Sequence, residues 1–290
     1  MDFASKTLID KGWSGDKKYL AVTKDGEKFL YRVSGKETYP VKKAEFEMMK
    51  MLQPLDLPMC LPVEFGENED GVYSVQTWIE GRDAEEIVPM LPEETQYRLG
   101  CESGEILKKI HSIPAPDTQE DWEARFNRKM DRKIEGYLNC PIKAEGGEHF
   151  IEYINTHRHL IKNRPQTFQH GDYHIGNMMI GDKGRIYVID FNRFDFGDPW
   201  EEFNRIVWCA QKAPAFASGM LDGYFDGSVP KVFFEILALY ISSNALSSVY
   251  WAVPFGEKEI SVMLNQVKDI LSWYDNMTNV IPKWYTPKAL

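Results

Sequence analysis

Cysteine is scarce in this chain, and what there is of it is scattered. Cys60, Cys101, Cys140 and Cys209 are the four in 290 residues, and no two of them form a CxxC pair. That argues against thiolate metal ligation and points to free thiols in a reduced, cytoplasmic setting. An excess of positive charge is also missing. The formal net charge is −10, whereas a nucleic-acid binder needs a clustered basic face. The N-terminus, MDFASKTLIDKGW, has no apolar core of the kind that opens a secretory signal. Internal repeats and low-complexity segments are lacking too. One apolar run, VFFEILALYISSNALSSVYWAV (232–253), is long enough to span a membrane. It contains Glu235, Asn244 and four serines, so it reads as a buried core helix. Neither a membrane nor an obligate protein partner is expected.

What is present is the makeup of a well-packed globular chain, 43% hydrophobic and 13% aromatic. Two runs of β-formers in 19–35 flank Lys24-Asp25-Gly26-Glu27, and Asp-Gly there predicts a hairpin. The spacing of Val41, Ala44, Met48, Met49 and Leu52 predicts a helix over 41–52. A proline-bearing loop, QPLDLPMCLP, and a strand over 71–81 follow. Beyond Gly81 the periodicity turns helical over 92–113, 120–139 and 148–163. A second hairpin, NMMIGDKGRIYVIDF, turns at Gly181 to Gly184. Helical pattern resumes from Pro199, with breaks at Pro214, Gly227 to Pro230 and Pro254 to Gly256. The expectation is an α+β chain of two lobes. Residues 1–80 would form a small β-rich, nucleotide-binding N-lobe, and 81–290 a larger, mostly helical C-lobe with the catalytic loop and substrate site.

The segment FQHGDYHIGNMMIGDKGRIYVIDFNRFDFGDP (168–199) concentrates ionisable and amide side chains among apolar ones. His170, Asp172 and His174 alternate as metal ligands on a strand would, but Gly171 and Ile175-Gly176 favour a loop and no fourth ligand is near. Histidines and aspartates that satisfy local backbone groups are the plain alternative. Phosphoryl transfer accounts for more of the residues at once. It needs a carboxylate beside the attacking hydroxyl, hard oxygen ligands for Mg²⁺ and a cation on the phosphates. Asp172 and Asn177 have the D-x-x-x-x-N spacing of the kinase catalytic loop, and Asp190 ends an apolar strand, as a metal-binding Asp would.

HGDYHIGN, VIDF and GDPWEEF resemble the aminoglycoside phosphotransferase and choline-kinase-like group of small-molecule kinases over nearly the whole chain. The resemblance implies a bilobal protein-kinase-like fold, ATP or GTP as co-substrate and one or two Mg²⁺ ions. It implies Asp172 as catalytic base and Asn177 and Asp190 as metal ligands. His170 then braces the loop, His174 orders it, and Asp198 fixes the following loop or caps the next helix. Arg32 stands where the family has a strand lysine, with Lys28 the weaker candidate. Its acidic partner would be Glu45, or alternatively Glu47. Gly12, Ser14 and Gly15 would cover the phosphates, although there is no G-x-G-x-x-G and no Walker loop. The base edge would meet Gln76 to Ile79, including Thr77 and Ile79. Asp190-Phe191 is followed by Asn192 where the D-F-G motif has glycine, and no A-P-E follows, which favours a small-molecule over a protein acceptor. Asp195, Glu201 and Glu202 are candidates to meet a cationic acceptor, and Glu202 equally to anchor a helix. An aminoglycoside-like antibiotic is the leading acceptor, which would make this a resistance enzyme. A kinase for choline, homoserine, methylthioribose or a sugar is the alternative, as is a silent nucleotide-binding protein.

Overall fold

A computed structural model describes residues 1–10 and 15–287. Contacts group the chain into two compact units: Met1–Ala84 with Asn177–Arg193, and Glu85–Gly176 with Phe194–Leu290. The fold is the expected α+β kinase-like one, with a small antiparallel sheet and a helical part. In chain order the strands are β1 (Phe3–Ile9), β2 (Lys17–Thr23), β3 (Lys28–Ser34), β4 (Pro62–Asn68), β5 (Gly71–Thr77), β6 (Gly81–Asp83), β7 (Thr167–Gln169), β8 (Met178–Gly181), β9 (Ile186–Val188) and β10 (Asp195–Gly197). The helices are α1 (Tyr39–Leu52), α2 (Ala84–Ile87), α3 (Glu93–Ile110), α4 (Trp122–Asn139), α5 (Gly147–His157), α6 (Ile206–Lys212), α7 (Pro214–Tyr224), α8 (Lys231–Ala252) and α9 (Glu257–Trp273). The grouping differs from a single cut after residue 80. The reason is pairing: β6 joins the β8–β9 hairpin, and Val188 N–H donates to the Pro58 carbonyl at 2.9 Å.

In the first unit the antiparallel sheet runs β1-β2-β3-β5-β4. The Asp25-Gly26 turn forms as expected, with Gly26 at φ +86°, where only glycine is at ease. Its register sets Lys18 directly opposite Arg32. Ala21, Tyr31, Val33 and Val75 form the sheet's buried face, with Phe3, Tyr19, Phe29 and Tyr73 packed against it. The helix over 41–52 forms, but its buried stripe is Phe46, Met49 and Leu52, while Val41 is 60% exposed. β1 and β4 were not expected. Both are edge strands, and the five inner residues of FASKTLI are all exposed, so no apolar alternation marks β1.

In the second unit α3 and α7 cross at contact distance because both carry glycines there. A Cβ on Gly100 would sit 2.1 Å from the Phe216 carbonyl oxygen, and one on Gly219 2.1 Å from that of Tyr97. The apolar run at 232–253 is α8. The helical stretch containing it, Lys231–Phe255, is long and apolar enough to cross a membrane, and 72% of its most apolar window is buried inside the fold.

Candidate active site

Within the first unit the side chains expected to handle a nucleotide come together around Arg32. β9 ends at Val188, and Ile189 N–H then donates to the Asn177 carbonyl at 3.0 Å. That bond brings Asn177 alongside Asp190. Asp190 itself sits at φ +68°, a left-handed conformation that Asp tolerates better than branched residues and that re-aims its carboxylate. Arg32, 9% exposed, reaches Asp190 Oδ1 at 3.3 Å and Asp16 Oδ2 at 2.8 Å. Burial works against its charge, but the carboxylates of Asp190 and Asp16 more than compensate, and its pKa is raised.

Asp16 is the residue the sequence reading missed. It also accepts from Ser34 Oγ at 2.6 Å and Lys42 Nζ at 3.0 Å. Burial pushes its carboxyl upward, yet these partners hold it below its ordinary value. The expected Arg32–Glu45 ion pair does not form. Lys42 lies one helical turn before Glu45 and takes it at 3.0 Å, while Asp16, leading into β2 beside Arg32, takes the guanidinium. Burial raises the Glu45 pKa despite Lys42. Lys18 was missed too. It lies across the strand pair from Arg32, and burial lowers its pKa although Asp190 attracts its charge. Of the alternatives, Glu47 pairs with Lys50 and Lys28 with Glu80, both exposed. Thr77 closes a local bond, its Oγ1 accepting from Leu61 N–H at 2.8 Å, and Ile79 is buried at 7% exposure. Gly15 has open space where a Cβ would be. Gly12 and Ser14 lie outside the described residues.

Within the second unit the loop of residues 170–176 is built from backbone N–H groups and buried acceptors. His170, fully buried, accepts at Nδ1 from Asp172 N–H at 3.2 Å and packs edge-on to Tyr173. His174 Nδ1 accepts from Gly176 N–H at 3.1 Å. A neutral His174 therefore carries its proton on Nε2, which lies 3.6 Å from Asp172 Oδ1. Arg205 Nε is 3.3 Å from the same oxygen. Both ring Nδ1 atoms thus serve the backbone, and among the described residues no group of three His, Cys, Asp or Glu is placed to hold a metal. Asn177 and Asp190 offer an amide and a half-buried carboxylate, the hard oxygen donors that suit Mg²⁺ shared with phosphate.

The three acids expected to meet a cationic acceptor are already engaged. Asp195 pairs with Arg125 at 3.1 Å, and Glu201 with Lys129 at 3.0 Å. Glu202, 2% exposed, accepts from Gly171 N–H at 3.0 Å and Tyr173 N–H at 3.3 Å. It braces the loop from below. Asp198, fully buried, takes Arg164 bidentately at 2.7 and 2.9 Å, Tyr240 Oη at 2.6 Å and Trp200 N–H at 3.0 Å.

A model of the phosphotransferase enzyme family matches residues 7–233. Among solved structures, the GDP complex of a mutant aminoglycoside 2'-phosphotransferase-IIIa is similar at a TM-score of 0.71 and 13% identity, over 97% of this chain and 95% of that one. A thermostable mutant of aminoglycoside phosphotransferase APH(4)-Ia, in ternary complex with ADP and hygromycin B, gives 0.66 and 16% over 93% and 94%. ADP-bound aminoglycoside phosphotransferase APH(2'')-Ib gives 0.64 and 17% over 93% and 95%. No curated protein sequence matches significantly. At these identities the structural likeness bears on the fold.

Proposed function

The chain belongs to the phosphotransferase enzyme family, and we propose that it is a kinase moving the γ-phosphoryl group of ATP or GTP to a hydroxyl of a small molecule. The observation that carries this reading is the Asp172 carboxylate. It stands on a loop braced by His170 and Glu202, and it is oriented by Arg205 and His174. In the proposed reaction it accepts the hydroxyl proton as the oxygen attacks the γ-phosphorus, and the nucleoside diphosphate leaves. Arg32 and Lys18, opposed on one face of the sheet, take up phosphate charge. Mg²⁺, held by Asn177 and Asp190, would neutralise the phosphates when bound. An aminoglycoside acceptor, the expectation from the family resemblance, finds support in the acceptors of similar structures such as the hygromycin B complex.

The test is Asp172→Asn, assayed for phosphate transfer and nucleotide affinity. Turnover should fall about 10²- to 10⁴-fold with nucleotide affinity nearly unchanged. Undiminished turnover would remove Asp172 from the role of base.

A further inference from the structure

Helix α4 carries Arg125, Arg128, Lys129, Arg132 and Lys133, at i, i+3, i+4, i+7 and i+8. At about 100° per residue these lie within an arc of roughly 140°. Trp122, Phe126, Met130 and Tyr137 are buried on the adjoining side. The cations outnumber their partners. Arg125 pairs with Asp195, Arg128 with Glu120 and Lys129 with Glu201. Arg132 and Lys133 have no hydrogen-bonded or ion-paired partner among the described residues. Lys133 is the informative one. It is half-buried, at the seam between the basic and apolar faces. Burial, with the charges of Lys129 and Arg205, pushes its pKa down to about 7 against the pull of Glu201. Arg205 is the residue whose guanidinium touches Asp172. One turn before Lys133 on the same face, Lys129 reaches Glu201, whose other oxygen accepts from Gln169 Nε2 at 3.3 Å immediately before the loop that carries the candidate base. The acids named above are already engaged by cations or backbone amides.

We propose that the acceptor carries an oxyanion, a carboxylate or phosphate beside its reactive hydroxyl, and that Lys133 on α4 binds it. This rests on the phosphotransferase reading but replaces the aminoglycoside expected from the family resemblance with an anionic acceptor. A polyamine would meet Lys133, Arg132 and Arg205 with like charge and find the nearby carboxylates taken. An oxyanion would supply the counter-charge that this half-buried ammonium lacks, and it would favour the charged lysine. Lys133 contacts the acceptor in this account, away from the transferred phosphoryl group.

The experiment measures transfer from ATP and GTP to three sets of acceptors, on the native chain, Lys133→Met and Lys133→Arg. Glycerate and gluconate represent carboxylates; glycerol 3-phosphate and glucose 6-phosphate represent phosphates; aminoglycosides and choline represent cations. Thermal shift with nucleotide is recorded alongside. The expected result is turnover with one of the two anionic sets, which identifies the source of the oxyanion. Lys133→Met should raise the acceptor KM at least tenfold and leave the nucleotide KM unchanged, and Lys133→Arg should restore most of the loss. Lys133→Met should be at least as stable as the native chain, because it removes a poorly solvated charge. The proposal is overturned if cationic acceptors are the better substrates, if no anionic acceptor is used, or if Lys133→Met leaves the acceptor KM unchanged. Absence of any nucleotide-induced stabilisation would instead count against the phosphotransferase reading itself.

Discussion

Replacing Glu202 by Gln isolates the contribution of the carboxylate under the loop that carries Asp172. The side chain is 1% exposed, and its two oxygens accept from the N–H groups of Gly171 and Tyr173, with His111 Nε2 at 3.9 Å. Hydrogen bonds to a charged acceptor are worth about 1.5–3 kcal/mol each, against about 1 kcal/mol for neutral ones. Gln keeps the shape and one acceptor oxygen, and it turns an NH₂ donor toward groups that are mostly donors. The loss is therefore about 2–4 kcal/mol. Part of it should appear as instability of the second unit, and part as displacement of the loop. A shift of about 1 Å at a catalytic group costs on the order of 10²-fold in rate. We expect kcat to fall by about that factor, with the nucleotide KM within about threefold, since Arg32 and Asp190 belong to the other unit. Urea unfolding followed by fluorescence, with steady-state kinetics of the same preparation, reads both quantities. A variant with kcat within threefold and stability within about 0.5 kcal/mol of the native chain would refute the reasoning.

Asp198→Asn should cost about 3–5 kcal/mol, because it breaks a buried pair and leaves the Arg164 guanidinium partly uncompensated. In a double-mutant cycle with Arg164→Met the two losses should be far from additive, and additivity would contradict the pairing. Asp16 gives a pH signature. Its folded pKa lies below the ordinary carboxylate value, so its stabilising effect is present above about pH 4 and shrinks as acid protonates it through the folded pKa. The stability difference between the native chain and Asp16→Asn should therefore be largest near neutrality and narrow on acidification; a difference that widened in acid would show the sign to be wrong.

Local signals carried much of the architecture. Asp25-Gly26 and Gly181 to Gly184 mark the two hairpins because the backbone there needs conformations that glycine supplies. Helices α3, α4 and α5 fall where apolar periodicity and caps place them. Lys18 was legible but unread: a hairpin turning at 25–26 with residue 22 opposite 28 must set 18 opposite 32. Asp16 was not. It precedes its strand, and no periodicity distinguishes it from any other loop aspartate. Glu45 shows a further limit. A cation one helical turn away competes for a Glu, and here Lys42 does so for Glu45. Charge state in the fold was likewise hidden. Asp195, Glu201 and Glu202 look alike in sequence as free acids, and only tertiary contacts reveal that cations or backbone amides have taken them.

The same contacts explain why GDPWEEF matters to a loop so distant in sequence. Glu201 N–H closes a turn onto the Asp198 carbonyl at 2.9 Å, and Glu202 follows in the short helix Glu201–Arg205. The backbone carbonyl of Asp198 takes Gln169 Nε2 at 2.8 Å, just before the loop, while the Glu202 carboxylate takes the N–H groups of Gly171 and Tyr173 within it. Each acidic residue is itself held, Asp198 by Arg164 and Tyr240, and Glu202, 2% exposed, by the backbone amides it accepts from, with His111 Nε2 3.9 Å away. Asp172 is the one carboxylate of the 170–176 loop, its side chain 18% exposed, with Arg205 and His174 near its Oδ1. In the proposed reading the buried acids hold the loop rigid while Asp172 does the chemistry.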